Sequence, residues 1–162
     1  MSKFKSFDRF QTGASDTFVI GDRSDEFASI KHLHPRFAFD FISLSGSGFC
    51  FNSTDLGYRD YHKLLKAFKD LSSQTYEVMN REYRYHFHDI DWDDVTVAKS
   101  DFLKCIYKDI RKDDYDEDDI TAYQFKVYEE ARIVGFIYRG IFYLVMFDRG
   151  HNAYKRKDKK KK

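Results

Sequence analysis

Between Asp148 and Arg156 the chain reads DRGHNAYKR, which brings Arg149, His151, Tyr154, Lys155 and Arg156 into one short segment. Cleavage of RNA without a metal ion needs three things. A base must take the 2′-hydroxyl proton, a cation must stabilise the pentavalent phosphate, and an acid must protonate the leaving oxygen. Here His151 or Lys155 suits the base, Arg149 the phosphate clamp, and Tyr154 or His151 the acid. The same residue types also serve plain phosphate binding, and the polar end of a strand has a similar composition.

Other constellations are less specific. His86 and His88 alternate beside Asp89 and Asp91, a spacing that could present metal ligands on one strand face, but no second histidine pair at ligand spacing supports them. His32 and His34 have the same weakness. The acidic run from Asp113 to Asp119 is not an EF-hand. Counted from Asp114, the sixth position is Asp119 rather than Gly and the twelfth is Phe125 rather than Glu. No P-loop, GxGxxG, GxSxG or HExxH occurs, and Ser45-Gly-Ser-Gly48 leads into no helix that could cradle a phosphate. These patterns imply no cofactor and no metal.

The composition frames these residues. The chain has 162 residues with formal charge +1, and 42% hydrophobic residues are enough for one core. Seventeen Phe, 12 Tyr and one Trp make it unusually aromatic, while a single Pro and 8 Gly exclude a low-complexity or collagen-like chain. The near-neutral total is segregated: residues 155–162 hold seven basic groups against one acidic, so the remaining body is acidic. Such a tail can grip a nucleic-acid backbone or simply stay solvated. No apolar run reaches membrane-spanning length, and the first 16 residues lack a signal-peptide pattern. Cys50 and Cys105 lack CxxC spacing and read as reduced thiols, so a cytoplasmic location is expected.

The elements that must position these groups follow from periodicity. Residues 1–35 read as an irregular arm with a short strand near 17–20, residues 36–154 as one α+β domain, and residues 155–162 as a basic tail. Phe37, Phe39 and Phe41 alternate, and Phe49 and Phe51 resume the pattern after the Gly-Ser turn, which predicts a β-hairpin. Ser53 or Asp55 can cap a helix in which Tyr61, Leu64, Leu65, Phe68 and Leu71 recur at 3- and 4-residue steps. Tyr76 and Met79 continue helically after Ser72-Ser73. Residues 83–88 alternate aromatic against basic as a strand would. Phe102, Cys105, Ile106 and Ile110 predict a further helix, closed by the acidic loop. Tyr123, Phe125 and Val127 alternate, and residues 132–138 and 141–147 flank Arg139-Gly140 as a buried hairpin. The expected architecture is an antiparallel sheet with two or three helices on one face. Tyr83, Tyr85, Tyr123 and Tyr128 on its strands could stack bases or pair within the core.

The last third, Arg132-Ile-Val-Gly-Phe-Ile-Tyr138, a turn, Phe142 to Phe147, then Asp148-Arg-Gly-His151 and Ala153-Tyr-Lys155, resembles the closing hairpin of RelE/HigB-type toxins. Those toxins are ribosome-dependent mRNA endonucleases held in check by antitoxins. The resemblance implies catalytic roles for Arg149, His151 and Tyr154, and RNA-binding roles for Arg132, Lys155 and Arg156. RNA, the ribosome and an antitoxin are the partners it implies. The wider pattern is also similar to small bacterial or phage-encoded proteins. That likeness implies no activity; the alternative, read from the acidic clusters and aromatics as an interface, is a non-catalytic interaction protein that binds and inhibits a host protein or nucleic-acid complex.

Overall fold

A computed structural model describes residues 23–45, 49–52, 54–107 and 120–154. The expected strand near 17–20, the acidic loop and the basic tail with Lys155 and Arg156 lie outside the described residues, as do positions 46–48 of the Gly-Ser turn. Within the expected arm, residues 23–30 form helix α1 (Arg23–Ile30). It is followed by β1 (Arg36–Ala38), α2 (Tyr58–Ser72), α3 (Tyr76–Arg81), a 3-10 turn (Tyr83–Tyr85), β2 (His88–Asp89), α4 (Lys99–Ile106), β3 (Ala122–Tyr128), β4 (Ala131–Tyr138) and β5 (Ile141–Asp148). The strands form one sheet in the order β1-β5-β4-β3-β2. All pairings are antiparallel except that of β1 with β5. The protein is thus α+β with a mainly antiparallel sheet.

The helices divide between the two faces of this sheet. On the first face, Leu64, Phe68 and Leu71 of α2 and Tyr76 and Met79 of α3 pack onto Phe125, Ile133, Phe142, Leu144 and Phe147. On the second, Phe102, Leu103 and Ile106 of α4 pack onto Ala122, Val134, Phe136, Tyr143 and Val145. The expectation of helices on one face holds for α2 and α3 only. The reason is in β4 and β5, whose residues are nearly all buried, so both faces need a cover.

Local chemistry explains the element ends. The Gly57 N–H donates to Asp60 Oδ2 at 2.9 Å, so the first turn of α2 is closed by Asp60, not capped by Asp55. Thr75 Oγ1 accepts the Val78 N–H and starts α3. Arg139 and Gly140 both take positive φ, 51° and 78°, giving the two-residue turn that suits the twist of the β4–β5 hairpin.

Two predicted features differ, though Arg36–Ala38 of the first does form β1. The Phe-rich hairpin over 36–51 does not form. After Ala38 the chain wraps the sheet edge, leaving Phe37 in the first core, Phe41 against the second and Phe39 exposed. Ser43 N–H then donates to the Val145 carbonyl and Phe147 N–H to the Phe49 carbonyl, so both arms meet β5, and a single bond, Phe51 N–H to the Ser43 carbonyl at 2.8 Å, joins them where a ladder was expected. The strand expected over 83–88 is a 3-10 turn followed by the two-residue β2. His86 lies between them at φ 45°, which breaks the alternation after Tyr85.

A β-bulge sits in the central hairpin. Gly135 pairs with Leu144 and Val134 with Met146, so Val145 is the extra residue. Val145 and Met146 consequently face the same side, and every later side chain of β5 is reversed relative to a regular strand. Gly135 permits the close approach, because a Cβ there would be driven into the Tyr143 carbonyl oxygen and lie 2.5 Å from the Phe142 ring. Gly135→Ala is therefore expected to destabilise the fold by about 3 kcal/mol or more. A urea midpoint equal to that of the native chain would contradict this.

Candidate functional site

The second face ends in a row of polar residues where α4 no longer covers it. Strand register places them: His88 pairs with Gln124, Lys126 with Arg132, and Arg132 with Asp148. Alternation puts these side chains on the face that carries Ala122, Val134 and Met146. Arg132 forms the floor at 4% exposure. Its Nη1 donates to the neighbouring Ala131 carbonyl at 3.2 Å, while the buried Nε has no hydrogen-bond partner among the described residues. Burial pulls the Arg132 pKa down, against the opposing pull of Glu130 and Asp148.

The turn after β5 supplies the wall. Both oxygens of the buried Asp148 carboxylate are used: Oδ1 accepts the Asn152 N–H at 2.9 Å and Oδ2 the Ala153 N–H at 2.8 Å. Thr96 Oγ1 lies 3.0 Å from the Asn152 and Ala153 carbonyl oxygens, and Tyr154 pairs with Val95 in an isolated antiparallel bridge. His151 takes φ 52° in this turn. These contacts fold the chain back so that His151 and Tyr154 return beside Arg132, with ring centroids 5.3 Å apart. His88 meets Tyr154 edge-on at 6.4 Å. Gln124 Nε2 lies 2.8 Å from His88 Nε2, and His88 Nδ1 lies 2.6 Å from the Asp89 carbonyl, an arrangement that uses the Nδ1–H tautomer.

Electrostatics follow from this packing. Burial first, then the Arg132 charge, holds the His151 imidazole below its usual pKa; Asp148 and Glu130, the latter 3.7 Å away, oppose this without reversing it. His86 is lowered the same way, by burial and then by Arg132, Lys126 and the other two histidines. Tyr154 is pushed up to about 12 by burial and then by Asp94. Its hydroxyl is buried without a hydrogen-bond partner among the described residues, as is Gln124 Oε1. The site thus offers a buried cation, a neutral imidazole and an unspent phenolic donor. Buried polar groups without partners are costly, so an anion entering here would be bound by donors already in place.

Arg149 does not join them. The bulge turns it to the first face, where Nε donates to Asp60 Oδ1 at 2.8 Å. The Tyr128 hydroxyl donates to the same oxygen at 3.0 Å. Of the residues expected to act together, Arg132, His151 and Tyr154 converge, Arg149 ties β5 to α2, and Lys155 and Arg156 lie outside the described residues. His86 and His88 share the cluster but not a ligand geometry, and among the described residues no three His, Cys, Asp or Glu side chains gather as metal ligands. Gln124 and Asp148 were missed by sequence reasoning. The signal available was a polar residue on the row Ala122-Gln124-Lys126 and a carboxylate closing an apolar run.

The Asp60 knot carries a pH dependence. The Gly57 N–H, then Arg149, then Tyr128 hold the Asp60 carboxyl down at about 2. A folded value below the unfolded one means stability that is complete above about pH 4 and lost as pH falls towards 2. Allowing for the half-exposed Arg149, this is worth about 1–2 kcal/mol. Urea denaturation should find Asp60→Asn less stable than the native chain at pH 5, with the gap closing by that amount near pH 2. A gap independent of pH would contradict the assignment.

The two cysteines are free, Cys50 buried and Cys105 partly so. No described helix is long and apolar enough to cross a membrane. No curated protein and no solved structure matches the chain. One family matches over residues 58–162, a span that begins at α2 and includes every member of the polar cluster. The chain belongs to that family, described as uncharacterised protein UU032.

Proposed function

We propose that this is an RNA-directed, toxin-like protein whose polar cluster binds a phosphodiester and cleaves it without a metal ion. The observation that carries the reading is Arg132, a buried guanidinium with an unpartnered Nε, beside the unpartnered Tyr154 hydroxyl and the His151 ring. A phosphate oxygen is the acceptor that the buried guanidinium lacks, and a charge-assisted bond to Arg is the strong kind.

The chemistry balances within this chain's residues. His151, neutral because of burial and Arg132, accepts the 2′-hydroxyl proton as O2′ attacks phosphorus. Arg132 opposes the charge that grows on the phosphoryl oxygens. The P–O5′ bond breaks, O5′ takes a proton from the Tyr154 hydroxyl, and solvent then reprotonates Tyr154 and takes the proton that His151 gained. The products are a 2′,3′-cyclic phosphate and a 5′-hydroxyl. Since the attacking group is the 2′-hydroxyl, DNA is not a substrate.

A second reading, a non-catalytic interaction protein of bacterial or phage origin, has its own observation. Tyr58 and Leu65 are 83% and 66% exposed, and with Tyr61 they make an apolar stripe along α2. Expression in a bacterial host separates the two. The nuclease reading expects growth arrest and RNA fragments with cyclic-phosphate ends, both on translating ribosomes and on free RNA. His151→Ala should lower cleavage about 100-fold or more, and Arg132→Gln should do likewise. Cleavage of a 2′-deoxy substrate, or full activity in both variants, contradicts it. Arrest that survives both variants but is lost in Leu65→Glu points to the interaction reading.

A further inference from the structure

Tyr83 is 84% exposed, more than any other large hydrophobic residue in the described structure. It opens the 3-10 turn that precedes β2, and its ring lies 4.3 Å from that of His86, centroid to centroid, tilted by 54°. His86 is held in place by the fold. It sits at φ 45°, a backbone conformation seldom adopted by residues with a Cβ, and its N–H donates to the Tyr83 carbonyl at 3.0 Å. The neighbouring side chains on either side are fixed inward: Tyr85 and Phe87 are buried in the first core, where Phe87 stacks on Tyr123 at 5.5 Å. Tyr83 and His86 are thus the two rings this segment turns away from the core. The turn leads directly into β2, whose His88 pairs with Gln124 of the polar cluster, so Tyr83 and His86 stand at the end of that row.

An exposed ring held beside an anion-binding floor is the arrangement by which proteins seize a single-stranded nucleotide. The backbone phosphate is held by cations, and the adjoining base stacks on the aromatic face. We propose that Tyr83, backed by His86, is a base-stacking platform, and that the ligand of the cluster is a single-stranded nucleotide whose phosphate sits at Arg132 and whose base lies on Tyr83. The inference rests on the phosphate reading above and adds the base to it. Stacking is tolerant of base identity, so the platform selects unpaired nucleotides over duplex rather than one sequence over another.

NMR titration of the full chain with ribose 5-phosphate and with adenosine 5′-monophosphate tests it. The two ligands share the phosphate and sugar and differ by the base. The monophosphate should bind about tenfold more tightly to the native chain, the scale of a single base stack. Tyr83→Ala should bring the two affinities together while leaving that for ribose 5-phosphate in place, and Tyr83→Trp should restore the preference. Equal affinities in the native chain overturn the platform, as does a preference that survives Tyr83→Ala. If neither ligand binds, or binding is indifferent to Arg132→Gln, the phosphate reading itself fails and the platform falls with it.

Discussion

A single extra residue in β5 decides which side chains share a surface with Arg132. Opposite Gly135 the strand carries Val145 out of register, and from that point its alternation is reversed. Asp148 therefore lies on the second face as the cross-strand partner of Arg132, while Phe147 and Arg149 face α2. The bulge also leaves the Val145 carbonyl to the Ser43 N–H, so the wrapped edge segment is anchored at the same place. A regular strand would exchange Asp148 and Arg149. The turn would then lose its carboxylate, and Asp60 its guanidinium.

From that constraint the site assembles in steps. Asp148 spends both oxygens on the backbone of the turn, so it shapes the turn and is not fully available to neutralise Arg132. Breaking up a buried charge pair in this way is unfavourable for folding alone. It leaves the guanidinium with a vacant donor, and the same burial keeps His151 neutral and Tyr154 protonated. Stability and the proposed binding thus fall to different residues of one short segment. Arg149 with Asp60 locks β5 to the helical layer on one face, and His151 with Tyr154 closes around Arg132 on the other.

Much of this was legible in the residues. Apolar steps of three and four in 61–71, and the paired runs around Arg139-Gly140, specify α2 and the central hairpin. His151 and Tyr154 were recognisable from their types and spacing, and Arg132 only through the resemblance to RelE/HigB-type toxins. The grouping of Arg149 with them was not reliable, because Ile141 to Phe147 is apolar throughout and carries no alternation from which a bulge could be read. The Phe-rich segment misled for a different reason: alternation states which side chains want burial, not that one sheet face receives them all. Phe37 and Phe41 are accommodated on opposite faces by a chain that crosses the sheet edge. At 83–88 the pattern of burial is real for Tyr85 and Phe87, but a left-handed His86, which the alternation does not signal, replaces the strand.

Arg132 is proposed as a cation that receives an anion, and its charge adds to burial in holding the neighbouring imidazoles down. An NMR titration of the His86 and His151 ring protons, in the native chain and in Arg132→Gln, with and without ribose 5-phosphate, measures this directly. The native histidines should titrate below the ordinary histidine value of about 6.5, rise when Arg132 is replaced, and rise when the phosphate binds. Midpoints that ignore both Arg132 and the phosphate would contradict it.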